Sequence, residues 1–175
     1  MTTPIADRIT APIAATATAT GGAPELRAAR PSDRHAVEAL LDGAGLPTAD
    51  IAELLATRAD DFVVADDPGG DGSLVAVAGL EVREGTALLR SVAVRPEWRR
   101  HGLGQELVRR VVCVAESRGV RALYLLTTTA ERYFPRFGFA PVERDVVPPE
   151  IAATLEFRSA CPASAVAMTC ALGAR

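Results

Sequence analysis

At 175 residues, 49% of them apolar, the chain has the length of one domain with a sizeable core. A formal charge of −3, with no long basic run and no interleaved aromatic series, excludes a general attraction for nucleic acid. All nineteen cationic side chains are Arg, which excludes Schiff-base chemistry and any Lys nucleophile, and no apolar run approaches the roughly 20 residues that span a bilayer.

Residues 1–24 are rich in Ala and Thr, end in Gly21-Gly22-Ala23-Pro24 and have no amphipathic period, so they are expected to form a flexible tail ahead of one domain over 25–175. They also lack the basic and continuous apolar segments of an export signal. Cys113, Cys161 and Cys170 are an odd number without metal-ligand spacing, which fits a reducing, cytoplasmic setting and no metal.

Glu25 to Arg30 predicts a first strand. Pro31-Ser32-Asp33 then starts a helix whose apolar residues Val37, Leu40 and Leu41 recur at helical spacing until Gly43 and Gly45 stop it. A shorter helix is expected around Ile51 to Ala56, then a strand over Phe62 to Ala65, a turn-rich loop over Asp66 to Ser73, and a strand over Leu74 to Val82. The tight link Arg83-Glu84-Gly85-Thr86 leads into a further strand, Ala87 to Val94, making a meander.

Residues 102–118 predict an amphipathic helix with Leu103, Leu107, Val111, Val114 and Ala115 on one face, ended by Gly119. Val120 to Leu126 follows as a strand and Thr129 to Phe137 as a short helix, with further helix and strand elements from Val142 onward. The strand-helix-strand unit in the middle is expected to be parallel.

Arg99-Arg100-His101-Gly102-Leu103-Gly104 places small residues where a helix begins. There, unpaired N–H groups and the helix dipole favour an anion such as a pyrophosphate. Arg95, Arg99 and Arg100 crowd the same helix end, which is mildly unfavourable unless an anion offsets them. Taken alone, the same residues also read as a solvated arginine run with packing glycines. A dinucleotide fold is a poor match, because the third glycine is missing and the preceding strand belongs to an antiparallel meander.

The stretch Ser91-Val92-Ala93-Val94-Arg95-Pro96-Glu97-Trp98-Arg99-Arg100-His101-Gly102-Leu103-Gly104 resembles motif A of the GNAT superfamily of N-acetyltransferases, and Tyr133-Phe134-Pro135-Arg136-Phe137-Gly138-Phe139 is similar to its motif B. More narrowly, Ala87 to Ser91, Leu125 to Ala130 and Glu156-Phe157 through Ala165 resemble the N-acetyltransferases encoded in arsenic-resistance operons, and short-form N-acetylglutamate synthases share part of the pattern.

The resemblance implies an α/β GNAT fold: a mixed, mostly antiparallel twisted sheet of six to seven strands flanked by helices. It implies acetyl-CoA as cosubstrate, with the amides of Val92 and Val94 on the pantetheine arm. The amides of Arg99, Arg100, His101, Gly102, Leu103 and Gly104 would hold the pyrophosphate. It further implies direct transfer to the primary amine of a small amino-acid-like acceptor, and a homodimer as one form of assembly; charge and hydropathy point to no nucleic-acid or membrane partner.

For the general base the candidate is Glu81, which follows Gly79-Leu80 on the strand beside Leu88 to Val94; an exposed strand carboxylate is the other reading. A bulge near Val92 would aim a backbone donor at the thioester carbonyl. The family's tyrosine position is Phe134, so Tyr133, displaced by one residue, is the candidate acid, with water or Tyr124 in reserve. Arg90 is expected on the same face as Val92, either clamping a substrate carboxylate or paired with Glu81. Cys161 reads as ordinary packing. Glutamate acetylation with help from Arg132 or Arg158, and a non-catalytic acyl-CoA sensor, are the alternatives.

Overall fold

The computed structural model describes residues 22–173, so the expectation for the tail falls, up to residue 21, outside the described residues. Seven strands form one sheet in the order β1-β2-β3-β4-β5-β7-β6. They are β1 (Leu26–Ala28), β2 (Phe62–Asp66), β3 (Leu74–Val82), β4 (Thr86–Val94), β5 (Ala122–Thr127), β6 (Ala140–Pro141) and β7 (Val166–Ala171). The helices are α1 (Arg34–Gly43), α2 (Ile51–Arg58), α3 (Leu103–Ser117) and α4 (Pro149–Ala152). β4 and β5 pair in parallel across α3, whereas β1-β2, β2-β3, β5-β7 and β6-β7 are antiparallel. The expected mixed sheet of six to seven strands is present. Among the described residues no helix is long and apolar enough to cross a membrane.

The chain divides into two compact units, described in turn. The first comprises, of the described residues, 22–80 and 91–114. Its core gathers Val37 and Leu41 of α1, Ile51 and Leu55 of α2, and Phe62, Val64 and Val77 of the sheet. β3 is buried along nearly its whole length, as a strand covered on both faces must be. Phe62 lies opposite Gly79, and a Cβ at Gly79 would sit 2.3 Å from the ring, so only glycine leaves room for that phenyl group. Arg27 of β1 makes a bidentate pair with Asp33 and a second with Asp66, at 2.7–3.0 Å. Its hydrogen bond holds the Asp66 carboxyl below the usual carboxylate range.

The loop between β2 and β3 is built on two aspartates. Asp67 accepts from the Gly69 N–H at 2.9 Å and Asp71 from the Ser73 N–H at 2.8 Å, while the Asp67 N–H closes the loop on the Ser73 carbonyl. α3 buries Leu107, Val111 and Ala115 as expected, and also Val108 and Val112; Leu103 and Val114 are only half-buried. Its apolar stripe is therefore broader, and turned further toward Val108, than one helical row suggests.

The second unit comprises 81–90 and 115–173 of the described residues. The β3–β4 hairpin closes through Arg83 N–H to Thr86 O at 2.8 Å with Gly85 at φ 75°. Its core joins Leu88, Ile151, Phe157 and Ala167, with Tyr124 packed against them. The helix expected over Thr129 to Phe137 is reduced to one 3₁₀ turn, Phe134–Phe137. Pro135 has no N–H for an α-helical bond to Glu131, and the Ala130 N–H is taken by Thr127 Oγ1, so residues 128–133 turn rather than coil.

Candidate functional site

The link from β4 to α3 begins with Arg95 and a 3₁₀ turn at Pro96–Trp98. Arg100 then adopts φ 67° and Gly102 φ 83°, and two left-handed residues so close together fold the backbone back to present consecutive N–H groups. The Gln105 and Glu106 N–H groups donate to Gly102 O at 3.0 and 3.1 Å, which starts the helix. Among the described residues, the N–H groups of Arg100, His101, Gly102, Leu103 and Gly104 meet no protein acceptor. A Cβ built on Gly102 would meet nothing within 4 Å, so open space lies above the peptide.

Two expectations for this loop change. The Arg99 N–H donates to Pro96 O at 3.2 Å and its Nε to Val94 O at 2.9 Å, so the run of open donors starts at Arg100. Arg95 does not add to the excess charge at the helix end, because Asp67 Oδ2 lies 2.7 Å from its Nη1. The exposed Arg100 and His101 remain beside the open amides. Val94, Arg95 and Arg99 also line a groove of about 220 Å3 against Leu40 of α1, smaller than the roughly 300 Å3 usual for a small-molecule pocket.

Ser91, in the interior of β4, has φ 55°, a region that non-glycine residues rarely enter. The strand is kinked there, one residue before Val92, at the place where a bulge was expected. Ser91 lies between Arg90 and Val92, which alternation placed on one face; Arg90 is buried and Val92 half-exposed. Val94 is half-exposed like Val92, with Ala93 buried between them.

In the second unit the structure assembles a row of four charges. Arg83 Nη2 donates to Glu81 Oε1, Arg90 Nη1 to Glu81 Oε2 at 3.2 Å, and Arg90 Nε lies 3.5 Å from Glu156 Oε2. The Arg90 side chain is 0% exposed and those of Glu81 and Glu156 are 7% and 9% exposed. Glu81 is therefore not an exposed strand carboxylate, and Arg90 is engaged with two carboxylates with no surface to offer a third. The expected pairing of Arg90 with Glu81 is present.

The family model for the acetyltransferase (GNAT) domain matches residues 58–141. An uncharacterized N-acetyltransferase of Chlorobaculum tepidum is 30% identical over 129 residues, 72% of this chain and 81% of that protein. This chain belongs to the GNAT acetyltransferases.

The amino-acid acetyltransferase of Aeromonas salmonicida is 33% identical over 100 residues, 56% of this chain; the match spans only 22% of that relative's length. Rv2747 of Mycobacterium tuberculosis, solved in complex with CoA, superposes with a TM-score of 0.71 at 27% identity, over 85% of this chain and 99% of that one. N-acetylglutamate synthase of Neisseria gonorrhoeae, complexed with coenzyme A and N-acetyl-glutamate, shares the fold with a TM-score of 0.72 at 20% identity, over 89% of this chain and 37% of that one.

In this GNAT chain Phe134 is buried and edge-on to Phe139 at 5.7 Å, fixed in the aromatic core. Tyr133 is half-buried, edge-on to Phe134 and Phe137, with the Arg136 guanidinium 4.5 Å from its ring centre. Tyr124 packs its ring against the core of the second unit. The Cys161 thiol is pushed up to about 11, first by burial and then by Glu156, whose Oε1 lies 3.9 Å from Sγ, so it is a protonated packing group.

Two members of the charge row escaped the sequence reading. Arg83 stands two residues from Glu81 on one strand, a spacing that could have signalled a shared face. Glu156 entered the reading only as the first residue of the resembling stretch Glu156 to Ala165, with no role assigned, and it lies beyond the stretch matched by the family model.

Proposed function

We propose that this GNAT chain moves the acetyl group of acetyl-CoA to the primary amine of a small amino-acid-like acceptor, by direct transfer within a ternary complex. The observation that carries the reading is the run of open N–H donors from Arg100 to Gly104 at the start of α3, with Gly102 left-handed beneath open space. A diphosphate satisfies such donors and offsets the Arg100 charge. The complex of Rv2747 with CoA supports the same ligand.

In this reading the Val92 and Val94 amides hold the pantetheine arm, and the donor at Val92, set off by the Ser91 kink, polarises the thioester carbonyl. The acceptor nitrogen attacks that carbon and its proton passes through water to Glu81. The C–S bond then breaks, and the leaving sulfur takes a proton from Tyr133 or from water. Relatives named amino-acid acetyltransferase support an amino-acid-like acceptor. With Arg90 engaged, its carboxylate falls to an exposed arginine, Arg132 or Arg158.

The test is thiol release from acetyl-CoA against amino acids including glutamate, and against amino-acid-like phosphonates and arsenicals, the last chosen for the likeness to arsenic-resistance acetyltransferases. Turnover with one class establishes the transferase and its acceptor. Tight acetyl-CoA binding without turnover across the panel overturns the amino-acid-like acceptor and favours an acyl-CoA sensor. Absence of acetyl-CoA binding overturns the reading.

A further inference from the structure

We infer that Glu156 is a positioning residue for acetyl transfer: ion-paired at 3.5 Å with the Nε edge of Arg90, it orients the guanidinium that in turn positions Glu81. The inference deepens the proposed function and rests on Glu81 acting as the base.

The geometry is that of a relay with alternating charge. A guanidinium is planar, and its Nε and Nη1 donors point along different directions in that plane. Glu156 Oε2 faces the Nε side at 3.5 Å as an ion pair rather than a hydrogen bond, and Glu81 Oε2 accepts from Nη1 at 3.2 Å, so carboxylate charge flanks Arg90 on two edges. Glu81 is held at both oxygens, by Arg90 and by Arg83. A carboxylate oxygen can accept more than one hydrogen bond, so Glu81 retains lone pairs for a water while its orientation is fixed.

Glu156 is itself held in place. It opens a π-helical turn, Glu156–Ala160, whose wider backbone is closed by Cys161 N–H donating to Glu156 O at 3.0 Å. Cys161 Sγ approaches its other carboxylate oxygen at 3.9 Å. The four formal charges of Arg83, Glu81, Arg90 and Glu156 cancel. Deleting Glu156 removes one of two carboxylates that flank the fully buried Arg90 guanidinium, and the other, Glu81, is shared with Arg83.

The experiment measures kcat and the KM for acetyl-CoA in Glu156→Gln, on the wild-type and on the Glu81→Gln background, with the full chain. The expected result is a fall in kcat of about tenfold or more from Glu156→Gln alone, acetyl-CoA KM within about twofold, and no further fall when Glu81 is already Gln. Glu156→Asp, which keeps the charge on a shorter arm, should recover part of the loss. An equal fall on both backgrounds marks a structural role and overturns the inference, as does an unchanged kcat in Glu156→Gln. If Glu81→Gln alone turns over like wild type, the base assignment itself has failed, and the inference with it. Should Glu156→Gln not fold, Arg90→Met combined with Glu156→Gln removes one charge of each sign; it must fold, bind acetyl-CoA and show the same fall in kcat, and wild-type turnover in that pair overturns the inference.

Discussion

Arg95 Nη1 lies 2.7 Å from Asp67 Oδ2, tying the residue that follows β4 to the first residue of the loop between β2 and β3. Both side chains are partly exposed, 29% and 20%, so the pair ranks between a surface ion pair and a buried charge-assisted hydrogen bond. Asp67→Ala removes this contact together with the acceptor for the Gly69 N–H. It should destabilise the fold by about 1–2 kcal/mol, read as a lower urea midpoint at unchanged slope. A midpoint equal to wild type would show that the tether contributes nothing.

Gly102 separates backbone strain from ligand contact. Gly102→Ala has room for its Cβ but must hold φ 83°, so a loss of about 1–2 kcal/mol in stability is expected. Gly102→Glu carries the same strain and adds a carboxylate beside the open amides. Its acetyl-CoA Kd, measured by titration calorimetry, should rise at least about tenfold above that of Gly102→Ala, since like charges at one anion site repel. Equal affinities in the two variants would remove the phosphate assignment of this loop.

Gly79 is a matter of space alone. A methyl group there would lie 2.3 Å from Phe62 Cε1, inside a strand pair that cannot open without moving the core. Gly79→Ala should cost about 1–3 kcal/mol by overpacking, and Gly79→Ala with Phe62→Leu should recover part of that loss. Thermal midpoints of the three variants check it.

Cys161 and Cys170 are both held as thiols, pushed from the ordinary 9.0 to about 11, in each case first by burial. At pH 8 iodoacetamide should therefore label the exposed Cys113 well before either, as peptide mapping by mass spectrometry would show. For stability the sign follows from proton counting. Above pH 9 the unfolded chain loses these thiol protons while the folded chain keeps them, so this contribution is whole below pH 9 and lost as pH rises toward 11. Cys161→Ala should flatten the decline of the urea midpoint over that range.

How much of this was legible in the chain differs from element to element. β3 is found where expected, Leu74–Val82, because turn residues bound it on both sides and its burial leaves an apolar run from Leu74 to Leu80, ahead of Glu81. The start of α3 was legible for a similar reason: glycines and arginines mark a loop whose conformation is set locally. The helix expected at Thr129 failed because one imino acid outweighs a run of permissive residues. The pairing of Arg90 with Glu156 was out of reach, since it depends on where a distant π-helical turn folds back and no local period encodes it.

The full burial of Arg90 has a consequence for how this family member can change over generations. A guanidinium does not shed its proton in a protein, so a charge buried at this position is permanent and cannot be neutralised by titration. Lineages that lose Glu81 or Glu156 singly leave the buried cation with less compensating charge, whereas a lineage that replaces the arginine and its carboxylates with apolar residues can keep the fold intact. Positions 81, 90 and 156 should accordingly be kept or abandoned as a block among descendants, and a homologue with three aliphatic residues there would mark a branch that retains the scaffold without this chemistry.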